Sequence, residues 1–131
     1  MKLLRLINLD SKIFESAKVF KLISQIGASA LEIREIELQQ APEVSPCVKN
    51  LVLESCGIND FRAYANLTTL RLPNNKISTQ GAMSIASCLI TNKTLTLLDL
   101  SGNNLKSAGI KLITEGLRGN KSLKTLMINR C

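Results

Sequence analysis

Apolar residues along the chain alternate between two rhythms. Leu67, Leu70 and Leu72, followed by Asn75 and Ile77, share their spacing with Leu95, Leu98, Leu100, Asn103 and Leu105, and with Leu123, Leu126, Ile128 and Cys131. Each stretch reads L-x-x-L-x-L-x-x-N/C, and Leu67, Leu95 and Leu123 stand 28 residues apart. Leucines two apart point to the same side of a strand, because strand side chains alternate. The pattern therefore predicts short strands with one buried face. The Asn after each strand carries a donor and an acceptor for turn backbone that would otherwise go unpaired, and Cys fits the same slot.

Between strands the spacing becomes helical. Ala82, Ile85 and Leu89 follow Leu67 at offsets of 15, 18 and 22, and Ile110, Ile113 and Leu117 follow Leu95 at the same offsets. Such steps of three and four lay one apolar stripe along a helix. Thr79 and Ser107 stand where N-caps belong, and Asn92 and Asn120 where the chain turns toward the next strand. Nearer the start, Leu4-x-x-Ile7-x-Leu9 reads as a strand, with Ser16 as cap, Val19, Leu22 and Ile26 as helix stripe and Gly27 as helix stop. Ile33-x-x-Ile36-x-Leu38 and Val48-x-x-Leu51-x-Leu53-x-x-Cys56 read as the next two strands. They start 15 residues apart, and Leu67 follows 19 residues later, so neither gap holds a full helix. Pro42 and Pro46 predict an extended return in the first gap. Phe61, Tyr64 and Leu67, three apart, predict a tight 3₁₀-like return in the second. The reading is one domain over residues 1–131, with strands beginning near 4, 33, 48, 67, 95 and 123 and helices after the first, fourth and fifth.

These segments resemble leucine-rich repeats, and the 28-residue units look like the ribonuclease-inhibitor-like subclass. The resemblance is strongest from Val48 to Cys131. It implies an α/β solenoid with a parallel sheet on the concave side and helices on the convex side. It also implies a protein that binds other proteins. The two short central units depart from the subclass. Helices are about 10 Å across and strands ~4.8 Å apart, so losing helices there should flatten the arc.

Composition adds limits. The chain has 131 residues, 45% hydrophobic and 21% charged, as in a folded domain. No apolar run approaches the ~20 residues of a membrane span, and the first residues do not form a secretory signal. Cys47, Cys56, Cys88 and Cys131 show no C-x-x-C spacing, and there is no His. We expect reduced cysteines, no metal site and a cytoplasmic setting. Without His, Ser–His and Cys–His nucleophiles are excluded. Glu35 and Glu37 could pair as carboxylates on one strand, but nothing around them builds a catalytic pocket. No phosphate loop or dinucleotide fingerprint occurs. We expect no catalytic residues, no cofactor, no small-molecule substrate and no enzyme.

The residues alternating with the core leucines carry the functional reading. Glu35 and Glu37, Asn50 and Val52, Thr69 and Arg71, Leu97 and Asp99, and Thr125 and Met127 should form two columns on the concave face. Apolar anchors among isolated charges suit a protein interface. Charge suggests an alternative. Residues 1–60 hold seven Lys/Arg and eight Asp/Glu, whereas residues 61–131 hold ten and two. Lys93, Lys106, Lys111, Arg118, Lys121 and Lys124 could attract nucleic acid or an anionic membrane. No aromatic platform accompanies them, so a protein partner is preferred. The last strand carries no following helix, so we expect either self-association through it or a longer native chain whose further repeats cover it. Similar repeats occur in regulatory modules and in effectors that intracellular bacteria deliver to a host cytosol, so either role fits the resemblance.

Overall fold

Six short strands pair in chain order, every pair parallel: β1 (Leu3–Ile7), β2 (Ala30–Arg34), β3 (Asn50–Glu54), β4 (Thr69–Arg71), β5 (Leu97–Asp99) and β6 (Thr125–Met127). Helix α1 (Thr79–Thr91) links β4 to β5, and α2 (Lys106–Gly116) links β5 to β6. This computed structural model describes residues 3–7, 25–38, 41–59, 64 and 66–131. The helix expected after the first strand lies outside the described residues, save for Ile26 and Gly27 at its end.

Leu31, Leu51, Leu70 and Leu98 face one way from four neighbouring strands and are all but solvent-free, as are Ile33, Leu53, Leu72 and Leu100. Ala82, Ile85 and Leu89 of α1 and Ile113 of α2 close over them, giving one continuous core. The 3.6-residue stripe thus meets the two-residue alternation, as the sequence implies. The helices lie close because small residues meet: a Cβ on Gly116 would fall 2.7 Å from the Ala86 carbonyl oxygen, and one on Gly109 3.2 Å from the Ala82 Cβ.

Backbone pairing continues past the strands. Asn75 accepts the Cys56 and Ile58 amides on Oδ1 at 2.9 and 3.2 Å and donates from Nδ2 to the Leu53 carbonyl at 2.6 Å. Asn103 accepts the Ile77 amide at 3.0 Å and donates to the Leu72 and Leu100 carbonyls, both at 2.8 Å. In the same slot the Cys56 thiol donates to the Ile33 carbonyl and the Cys131 thiol to the Leu100 carbonyl. Cys replaces the donor half of the Asn and leaves the acceptor half out. Just before this slot the chain turns through a left-handed residue in five repeats: Glu35, Ser55, Asn74, Gly102 and Arg130, with φ of 57°, 54°, 55°, 73° and 58°. Only one of the five is glycine, so this turn left little trace in the sequence.

The register of the first two repeats differs from the sequence reading. Leu4 pairs with Leu31 and Leu31 with Leu51, so steps between equivalent residues are 27, 20, 19, 28 and 28. The second strand centres on Leu31 and Ile33, five residues before the expected alignment, and the first is three residues early. The reason is local. Ala28 stands where a leucine was sought, and Ile36 fills the Asn/Cys slot, buried like its counterparts. Without its polar marker, the end of one motif looked like the start of the next.

The expected caps also differ. Thr79 is the first residue of α1, and its hydroxyl donates to the Leu105 carbonyl at 3.0 Å, joining two repeats. Ser107 lies within α2, exposed. Neither helix has a side-chain cap bond. Asn92 and Asn120 do turn the chain. Asn92 accepts the Thr94 and Leu95 amides, Asn120 those of Ser122 and Leu123, and Asn120 Nδ2 reaches back to the Leu89 carbonyl at 2.7 Å.

The central returns are tied to each other. Ala41–Val48 holds neither helix nor strand and turns at Pro46, with the Val48 amide donating to the Ser45 carbonyl at 3.0 Å. The buried Tyr64 hydroxyl donates to the Pro42 carbonyl at 2.6 Å. The rest of the expected 3₁₀-like return, residues 60–63 and 65, lies outside the described residues.

Candidate functional site

The sheet face opposite the core is built by register alone. Asn50, Thr69, Leu97 and Thr125 lie in one row across β3 to β6, and Val52, Arg71, Asp99 and Met127 in the next. These eight residues stand together in the two columns that alternation predicts. Glu35 and Glu37 do not join them. Glu35 occupies the left-handed turn after β2, and Glu37, exposed beyond it, pairs with Lys76 at 3.4 Å. The odd shift in the register of β2 moves Ala30 and Glu32 into the columns instead. On β1 the matching residues are Leu3 and Arg5.

Exposure also corrects the expected picture. Val52 and Asp99 are buried, at 9% and 6%, while Leu97, Met127, Thr69 and Arg71 are half-buried and Thr125 is exposed. Val52 lies between Glu32 and Arg71 in its column.

Charges on this face form two groups. On β1 to β3, Arg5 Nε meets Glu32 at 2.9 Å, Arg34 stands 3.7 Å from the same carboxylate, and Arg34 also pairs with Glu54. On β4 to β6, Arg71 lies 3.8 Å from Asp99, whose other oxygen accepts the Ser101 amide at 3.0 Å. Arg34 and Glu54, in a third column, were missed by sequence reasoning. Their signal was opposite charges following the last apolar residue of adjacent strands.

Away from this face, Lys93, Lys106, Lys111, Arg118, Lys121 and Lys124 are exposed, on α2 or in turns. Leu123, Leu126 and Ile128 around β6 are half-buried against the core. All four cysteines are free thiols. Burial pushes the Cys56 thiol up to about 11 and raises that of Cys88. Among the described residues, no group of His, Cys, Asp and Glu could hold a metal ion, and no helix is long and apolar enough to cross a membrane.

Comparison with known proteins agrees with this architecture. The family described as Leucine Rich repeat matches residues 65–86 and 91–113, the two units that carry α1 and α2. Human NACHT, LRR and PYD domains-containing protein 5 is 31% identical over 123 residues, 92% of this chain and 9% of that protein. Human NACHT, LRR and PYD domains-containing protein 12 is 38% identical over 66 residues, 50% of this chain and 6% of that protein. Chicken Leucine-rich repeat-containing protein 45 is 32% identical over 82 residues, 61% of this chain and 12% of that protein. The chain thus spans 6 to 12% of the length of these relatives. With the repeated motif, the six-stranded parallel ladder and the helical returns in place, the chain is a leucine-rich repeat protein.

Proposed function

We propose that this chain is a non-enzymatic protein-interaction module that binds its partner on the open face of the sheet, as one repeat domain. The observation that carries this reading is the block on β3 to β6. There half-buried Leu97 and Met127 share the face with Arg71 while the core leucines are fully committed to the opposite side. Apolar contact area around an arginine is the composition of an interface centre. The relatives named above are vertebrate proteins, which favours a regulatory or scaffold role over that of a delivered bacterial effector, and we place that role in the cytosol. The 28-residue units favour the ribonuclease-inhibitor-like subclass.

The test is partner capture with two double variants. Arg71→Glu with Met127→Lys should keep the melting temperature and lose the partner. Lys111→Glu with Arg118→Glu, on the helical side, should keep both. The opposite pattern would move binding to the basic side and favour the second reading, an electrostatic contact with nucleic acid or anionic membrane. That contact would weaken steeply with salt. Half-buried Leu126 and Ile128 also support contact between copies through β6. Sedimentation of Ile128→Glu against wild type tests it, and a wild type that stays monomeric at high concentration refutes it.

A further inference from the structure

We infer that the open face takes an acidic protein segment, with Arg71 anchoring a partner carboxylate while an adjacent apolar side chain rests near Leu97 and Met127. The inference rests on the reading that this face binds protein, and it adds the chemistry of the partner.

The argument begins with how the two halves satisfy their charges. On β1 to β3 each arginine has one carboxylate in close contact, Arg5 with Glu32 and Arg34 with Glu54, and Arg34 stands 3.7 Å from Glu32 as well. On β4 to β6 Arg71 is the one strand cation, and its contacts are long. The Asp99 oxygen is 3.8 Å away, and so is Met127 Sδ, a weak acceptor. A guanidinium carries five N–H donors in a planar fork matched to a carboxylate. Among the described residues these two contacts leave most of that fork unused, and the side chain is 39% exposed. Asp99 is buried, with its Oδ1 accepting the Ser101 amide and its Oδ2 held 3.8 Å from the guanidinium.

Position and surroundings give the rest. Arg71 lies between Val52 and Asp99, within the sheet rather than on its rim. Half-buried Thr69, Leu97 and Met127 share the face with it, and a partner seated over them would exclude water and strengthen a charge-assisted hydrogen bond. The charge balance is basic: residues 61–131 carry ten Lys/Arg against two Asp/Glu, with exposed Lys93, Lys121 and Lys124 near the strand ends. An acidic segment is steered toward such a surface and a basic one repelled. Nucleic acid fits less well, because Tyr64, the one described aromatic, is buried, and among the described residues no ring stands on this face for a base to stack on.

The experiment uses three panels of immobilised twelve-residue peptides, each with a central Leu flanked by Glu, Gln or Lys, plus a single-stranded thymidine dodecamer. The wild-type chain should prefer the Glu panel. Arg71→Glu should weaken that binding roughly 10- to 100-fold, the size of a lost charge-assisted hydrogen bond, and shift preference toward the Lys panel. Arg71→Met, which keeps the aliphatic stem, should lose the Glu preference without gaining the Lys one. It serves if the charge reversal does not fold. Glu-panel binding that survives in both Arg71 variants but disappears in Lys121→Glu with Lys124→Glu would overturn the inference. It would leave a protein-binding module that reads acidity at the strand ends. A wild type that prefers Lys, binds no panel, or binds only the oligonucleotide would also overturn it. Glu-panel binding indifferent to both Arg71→Met and Met127→Lys would bring down the open-face reading as well.

Discussion

Replacing Asn103 by leucine tests the element that holds one repeat to the next. The side chain is 4% exposed and makes three short bonds: from the Ile77 amide, and to the Leu72 and Leu100 carbonyls. Leucine has a similar volume but can make none of them. The Leu100 carbonyl keeps the Cys131 thiol at 3.2 Å, so two buried backbone groups lose this partner outright, the Ile77 N–H and the Leu72 C=O. At about 1–3 kcal/mol for each unsatisfied group, the gross loss is about 2–6 kcal/mol. Burying leucine instead of an amide returns part of it, at most about 1.5–3 kcal/mol. The expected net destabilisation is about 0.5–3 kcal/mol. Urea unfolding followed by circular dichroism should show a lower midpoint at unchanged slope. Asn104→Leu, next in sequence but exposed, is the control and should move the midpoint little. Equal midpoints for wild type and Asn103→Leu would refute the assignment of this slot as the inter-repeat staple.

Two further predictions concern helix packing and thiols. Gly116→Ala should destabilise the fold by about 1–3 kcal/mol, although alanine is the better helix former, because the added methyl would fall 2.7 Å from the Ala86 carbonyl oxygen. A raised melting temperature would mean the helices can separate freely. Exposed Cys47 should react with Ellman's reagent in the native state near pH 8, whereas Cys56 should react only on unfolding. The Cys56 thiol rises from 9.0 to about 11 on folding, so its contribution to stability is full below pH 9 and is lost as pH climbs from 9 through 11. Labelling of Cys56 as fast as Cys47 would contradict its burial.

From β3 to β6 the sequence was legible in detail. Two signals of different period agreed there, and a polar marker closed each repeat at Asn75 and Asn103, with Cys56 and Cys131 in the same role. Before Val48 the markers fail together. Ala28 is small where leucine was sought, Ile36 is apolar where Asn was sought, and Leu3, Leu4, Leu6 and Ile7 put apolar residues on both faces of β1. Hydrophobicity alone then fits more than one register.

That ambiguity bears on function more than on fold. A strand read out of register by an odd number of residues still places leucines in a core, but it exchanges the residues offered to solvent. With the wrong register Glu35 and Glu37 belong to the face, and its N-terminal half looks like an open acidic patch. In the actual register Ala30 and Glu32 take their place, and Glu32 and Glu54 are each bonded to an arginine on a neighbouring strand. The acidity of that half is therefore answered within the sheet, and exposed ion pairs of this kind attract little from outside. Arg71 differs because its nearest carboxylate is buried, bonded to the Ser101 amide and 3.8 Å off. The two halves of one face differ in what they leave for a partner, and that difference depends on register, which only the paired strands supply.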